Sequence, residues 1–228
     1  MADVPLQAGL DVDPWVAAGI VAGAASGSFL VEEEVRGLFQ GHRSGVADAL
    51  ERVGWWYGTP LFTVPASLLT LAGGALFDDD DVRDTGLLMS GVLLSVLFVQ
   101  QPVRIAVGRA RPSAGEGHLS FEPFTFDNSR ASFISGHTWS AFGISNVVAR
   151  QVDRPWASVG LYSLATITAL SRLYADQHWL TDVVLGAVAG YAIGTALWHE
   201  QQDTDDGNMV AGVDAAPVRH WLVVRFRI

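Results

Sequence analysis

The chain has 228 residues, no cysteine, and 24 acidic against 14 basic residues, giving a formal net charge of −10. That length fits one large domain. The absence of cysteine excludes disulfides and thiolate metal sites, and the acid excess disfavours nucleic acid as a partner. Half of the residues are hydrophobic and the mean hydropathy is +0.28, high for a soluble protein and modest for a polytopic membrane protein. Every basic residue is arginine.

Taken in chain order, uncharged stretches alternate with polar ones. Residues 14–31 form the first uncharged run. Residues 32–59 carry Glu32, Glu33, Glu34, Arg36, Arg43 and Arg52 and read as an amphipathic or surface helix. Runs follow at 60–77 and 86–103, separated by the acidic turn Asp78, Asp79, Asp80 and Asp81. That turn lacks the glycine and glutamate of a calcium loop and reads as a solvated turn. Residues 109–135, with Pro112, Gly115, Gly117 and Pro123, form a long loop, and long loops in compact domains are commonly functional. A shorter apolar run covers 138–149. A tight turn at 150–155 leads to runs at 155–171 and 183–198.

Five of these runs are 16 to 18 residues long, close to the roughly 17–25 that a membrane-spanning helix needs. Their Gly, Ala and Ser content suits close helix packing in lipid. The same runs also fit a compact soluble bundle of buried helices. The expected fold is all-α, a six-helix membrane-embedded bundle with its site at one membrane face. The helical domain is placed at 1–199. An acidic linker and a tail occupy 200–228, and residues 218–228 alternate with strand periodicity. If all six runs cross, the segments 32–59, 109–135 and 171–177 share one side. The arginine distribution leaves the orientation open.

Three clusters fall on that shared side. Arg104 and Arg111 are seven apart, about two turns, which places them along one helix face, and Pro112 puts Arg111 near the helix end. Arginines there either snorkel to the interface or line a wet cavity. In the second cluster, Ser135 is a candidate N-cap, Gly136 lets an oxyanion approach the backbone, and His137 stands at the helix mouth. A plain capped helix has the same signature. The third cluster holds Arg172, His178 and Asp182. His178 and Asp182 are four apart, so on a helix their side chains share a face, and a carboxylate on one ring nitrogen would leave the other free to attack. No metal-ligand spacing is evident. Three guanidinium groups at one pocket call for a multiply charged anion, and phosphate is the obvious one.

Arg104-x6-Arg111-Pro112, Ser135-Gly136-His137 and Ser171-Arg172-x5-His178-x3-Asp182 resemble the three motifs of the type-2 phosphatidic acid phosphatase superfamily, in order and in spacing, over residues 104–182. The resemblance implies a multi-pass protein of the bacterial inner membrane that hydrolyses a lipid phosphate or pyrophosphate without a cofactor. Candidate substrates are undecaprenyl pyrophosphate, phosphatidic acid and phosphatidylglycerol phosphate, and the site is expected to face the periplasm or exterior. By resemblance, His178 is the nucleophile, Asp182 orients it, and His137 protonates the leaving oxygen and then activates water. Arg104, Arg111, Ser135, Gly136 and Arg172 bind the phosphate. The alternatives are a nonspecific acid phosphatase and a vanadate-dependent haloperoxidase, which share this pocket. Oligomeric state is not legible. Two departures stand out: the first motif usually begins with lysine, and the second usually has proline where this chain has Ile134. His118, in the loop between the first two clusters, is a further candidate for contact with a head group.

Overall fold

The computed structural model describes residues 14–211, with side chains described for 15–203. Helices α1 (Pro14–Gly41), α2 (Gly45–Gly58), α3 (Pro60–Phe77) and α4 (Asp80–Ser95) come first. A π-helical turn at Val96–Gln100 joins α4 to α5 (Gln101–Val107). The helices α6 (Gly136–Val152), α7 (Pro155–Tyr174) and α8 (Leu180–Ala211) complete the set. Among the described residues there is no sheet, only an isolated antiparallel bridge between Arg109 and Phe121. The strand-like pattern at 218–228 lies outside the described residues.

Among the described residues, four stretches are long and apolar enough to cross a membrane: Trp15–Gly41, Pro60–Phe77, Asp80–Val107 and Leu180–Asp203. Their outer faces are bare. Trp15, Leu30, Leu69, Leu76 and Phe77 are each more than 70% exposed, which water would penalise and lipid would not. This chain is a multi-pass membrane protein with an all-α fold, and the soluble-bundle reading is set aside. The runs at 138–149 and 155–171 became α6 and α7, which are not among those four stretches.

Helix α6 is the hub. Ten of its seventeen residues are buried, and it meets α8, α7, α4 and α2. Its approach to α8 is set by glycine: a Cβ on Gly190 would lie 2.2 Å from the carbonyl oxygen of Trp139. Small residues that let backbones close in are the usual means of helix association in lipid. Two buried clusters flank this contact. Leu88, Met89, Val92, Ile144 and Val147 join α4 to α6, and Ala169, Leu173 and Val183 join α7 to α8.

Several sequence expectations change in detail. Helix α1 does not stop at the first glutamate; it runs on to Gly41 and carries Glu32, only 1% exposed, inside the protein. The amphipathic helix expected within 32–59 is α2, capped by Ser44 Oγ accepting from the Ala47 amide. The acidic turn is used for termination and capping: Asp78 closes α3 in a left-handed conformation, and Asp79 accepts from the Val82 amide to start α4. Helix α8 continues through residues 200–211, where the sequence suggested a linker.

Candidate active site

The long loop between α5 and α6 folds back on itself beside the helix ends. Gly108, with φ of +57°, stops α5 one turn after Arg104. Arg111 therefore lies in the loop, not two turns further along a helix as its spacing from Arg104 suggested. The loop is pinned by backbone hydrogen bonds from Ala110 N to Ser120 O, Arg111 N to Ser129 O and Ser132 N to Arg109 O. Together with the π-helical turn and the start of α6, it encloses a cavity of about 140 Å³ lined by Gln100, Arg104, Arg111, Gly136, His137 and His178, among others. Residues from three distant parts of the chain thus meet at one hole.

His178 sits just before α8, 7% exposed. Its Nδ1 is 2.6 Å from the carbonyl oxygen of Ser132. A carbonyl only accepts, so Nδ1 carries the hydrogen and the neutral ring keeps its lone pair on Nε2. Burial pushes the His178 pKa well below its usual value, and the nearby charges of Arg111, His137 and Arg172 push the same way. The ring is therefore a neutral base at ordinary pH.

The carboxylate of Asp182 does not pair with that ring, contrary to the helix-face expectation. His178 lies outside α8, and Asp182, fully buried in the first turn, is engaged elsewhere. It accepts from Arg109 Nη1 at 2.8 Å, from Ser132 Oγ at 2.5 Å and from the Trp179 amide at 3.0 Å. The last contact is one half of a capping box, an acid at the third helical position reaching back to the residue before the helix. Asp182 connects to His178 through Ser132, whose hydroxyl it holds and whose carbonyl holds the ring, and through the amide of the adjoining Trp179.

The remaining predicted residues divide in two. Arg104, Arg111, Gly136 and His137 line the cavity with His178. Arg111 donates to Gln177 Oε1 and to Asn128 Oδ1, both neutral acceptors. Burial lowers its pKa, and Arg104 lowers it further by like-charge repulsion, which marks a site short of negative charge. Arg172, in the last turn of α7, is held by Glu51 at 2.9 Å and by Ser171 Oγ. It is not among the lining residues, but its charge reaches His178. Ser135 is buried and caps α6, its Oγ facing Thr138 N and Oγ1, and it too is not among the lining residues. His118 turns away to Glu33 and stacks edge-on against Trp179.

Two residues that bear on the site were not picked out in the sequence. Arg109, 1% exposed, is the buried hub that pairs with both Glu32 and Asp182. In the sequence it is one more arginine at the start of the long loop, two positions before Arg111. Gln100, 2% exposed, faces the cavity from the π-helical turn. A neutral amide inside an apolar run gave little reason to single it out.

Two imidazoles and two arginines thus line one cavity of a multi-pass membrane protein. The PAP2 superfamily profile matches residues 85–205, just over half of the chain, and the chain belongs to that superfamily. It is 36% identical over 81 residues to the lipid A 1-phosphatase of Porphyromonas gingivalis, covering 34% of this chain and 18% of that protein. It is 24% identical over 125 residues to the lipid A 4'-phosphatase of the same organism, covering 52% of this chain and 53% of that protein. The chain thus spans about half or less of the length of these relatives. Among solved structures, it resembles Aquifex aeolicus LpxE, with a TM-score of 0.56 and 21% identity over 74% of this chain and 95% of that one. It also resembles a transmembrane PAP2-type phosphatidylglycerolphosphate phosphatase from Bacillus subtilis, with a TM-score of 0.60 and 19% identity over 83% of this chain and 94% of that one.

Proposed function

We propose that this chain is a metal-independent phosphatase that removes phosphate from a membrane lipid through a phosphohistidine intermediate. The observation that carries the reading is the His178 ring, locked by Ser132 with its free nitrogen at Nε2, in the same cavity as His137, Arg104 and Arg111. In the first step Nε2 attacks phosphorus: an N–P bond forms, the P–O bond to the lipid breaks, and the leaving oxygen takes a proton from His137. The His137 pKa is pushed down to about 3 by burial and by Arg172 and Arg111, and the ring takes that proton up as the phosphate anion binds beside it. In the second, water gives a proton back to His137 and attacks phosphorus, and the N–P bond breaks. The arginines and the free amides at the start of α6 hold the non-bridging oxygens, where charge is spread in the transition state.

A lipid substrate fits the surroundings. The cavity wall includes Pro60 of α3 and Val96 of the π-helical turn, and the neighbouring Leu61, Phe62, Leu97 and Phe98 are exposed on the same helices. An acyl or prenyl chain can lie along them while the phosphate enters the cavity. The relatives named above act on lipid A and phosphatidylglycerol phosphate. These join phosphatidic acid and undecaprenyl pyrophosphate as candidates, with the site facing the exterior of a bacterial inner membrane. Purified protein in detergent is expected to release phosphate from at least one of these lipids in the presence of EDTA, and His178→Ala is expected to abolish release. Turnover that depends on added divalent metal would refute the mechanism.

A further inference from the structure

Among the described residues, three buried side-chain atoms have no hydrogen-bond partner: Gln100 Oε1, Arg111 Nε and His137 Nε2. All three belong to residues lining the one cavity. Arg111 Nε is a donor, as an anion site requires. Gln100 Oε1 is an acceptor, which an anion site does not require.

Its orientation is fixed. The amide nitrogen Nε2 lies 2.5 Å from the carbonyl oxygen of Ile134, which only accepts, so the NH2 group must face that carbonyl and Oε1 must face away. Oε1 is set beside the first residue of α6: a Cβ on Gly136 would lie 3.3 Å from it. The π-helical turn causes this placement, with Gln101 N donating to Val96 O five residues back and turning Gln100 inward. The other polar groups lining the cavity are Arg104 from α5, Arg111 from the loop, His137 from α6, Gln101 and Ser140, and the His178 ring; among the described residues no carboxylate lines it.

A carbonyl oxygen next to an oxyanion is repulsive unless the facing oxygen carries a hydrogen. We propose that Gln100 is a specificity-determining residue that accepts a hydrogen bond from the P–OH of a singly protonated phosphoryl group, so that the cavity selects a protonated phosphate over an anion without a proton. This rests on the phosphatase reading above. It favours a terminal phosphate, which still holds a proton near neutrality, over a phosphodiester, whose single acidic oxygen has already lost its proton.

The test compares two inhibitors of lipid-phosphate hydrolysis by the full-length protein in detergent, inorganic phosphate and sulfate. Sulfate is similar in size and shape but carries no proton near neutrality. Wild type is expected to prefer phosphate, and to prefer it more on the acid side of the second ionisation of inorganic phosphate. Gln100→Met should shrink the ratio of the two inhibition constants by about tenfold, the scale of one buried hydrogen bond. Stabilisation by phosphate in thermal unfolding checks that the variant is folded. Should Gln100→Met fail to fold, Gln100→Glu retains an oxygen acceptor and should retain the preference; its loss would overturn the assignment. A Gln100→Met enzyme with lowered turnover and an unchanged ratio would also overturn it. A wild-type protein with no lipid-phosphate turnover would instead defeat the phosphatase reading itself.

Discussion

Ser132 holds His178 with one atom and Asp182 with another: its carbonyl oxygen is 2.6 Å from His178 Nδ1, and its hydroxyl is 2.5 Å from Asp182 Oδ2. The serine thus stands where a direct carboxylate–imidazole bond was expected. Because the ring is held by main chain, no side-chain change at 132 removes its partner; it can only loosen the loop that carries the carbonyl. Ser132→Ala is therefore expected to fold and to lower kcat by about tenfold with little change in KM, since one buried hydrogen bond is lost. Asp182→Asn should cost more, as it also removes the charge opposite Arg109. Steady-state kinetics on a lipid phosphate would show the split. A Ser132→Ala enzyme as inactive as His178→Ala would mean that the hydroxyl itself takes part in the reaction.

The Glu32–Arg109–Asp182 chain ties α1 to the loop and to α8, with all three residues at 1% exposure or less. Thr181 Oγ1 donates to the second oxygen of Glu32. Removing one member of a buried ion group strands the others, at a cost of about 3–5 kcal/mol. Glu32→Gln keeps the shape and removes the charge, so it should lower thermal stability in detergent well beyond Asp84→Asn. Asp84 pairs with a partly exposed arginine, Arg83, and such pairs contribute at most about 1 kcal/mol. Equal melting shifts for the two variants would contradict a structural role for Glu32.

How much of this was legible in the sequence follows from what each signal depends on. The helices were legible because apolar length and Gly, Pro and Asp punctuation are local properties. The cavity residues Arg104, Arg111, Gly136, His137 and His178 were legible from motif spacing. The interior partners were not. Whether Glu32 is a surface charge or a buried one depends on whether Arg109 meets it, a contact across 77 positions. The partner of His178 is a backbone carbonyl, which every residue has and no pattern marks. The register of Arg111 hinged on Gly108 ending α5 early, where heptad spacing suggested a continued helix.

Gly190 offers a test of how α6 is held. An added Cβ there meets the Trp139 carbonyl at 2.2 Å, a backbone atom that cannot swing aside. Gly190→Ala must push α8 from α6, the helix that presents His137, and is expected to reduce both stability and activity. Gly160, exposed on α7, has nothing within 4 Å of its would-be Cβ. Gly160→Ala should be neutral or stabilising by up to about 1 kcal/mol. Melting curves and turnover measured side by side decide it, and similar behaviour of the two variants would rule out glycine-mediated contact as the determinant of the α6–α8 spacing.

The burial of His178 also predicts how stability responds to acid. Its folded pKa lies well below the ordinary 6.5, because burial and the charges of Arg111, His137 and Arg172 oppose a second proton. The unfolded chain therefore binds more protons than the native one as pH falls through about 6.5, and the native state loses ground. The stability tied to the neutral ring is fully present above that pH and declines below it, down towards the folded pKa. His178→Asn keeps a donor that can face the Ser132 carbonyl and has nothing to titrate. The wild-type melting temperature should fall between about pH 7.5 and 5.5 by more than that of the variant. His137, its pKa pushed down to about 3 by burial and by Arg172 and Arg111, makes its own contribution in both proteins, so the difference between the two slopes reports His178. Parallel pH profiles would mean that the ring protonates freely in the folded protein, and the neutral nucleophile would then lose its physical basis.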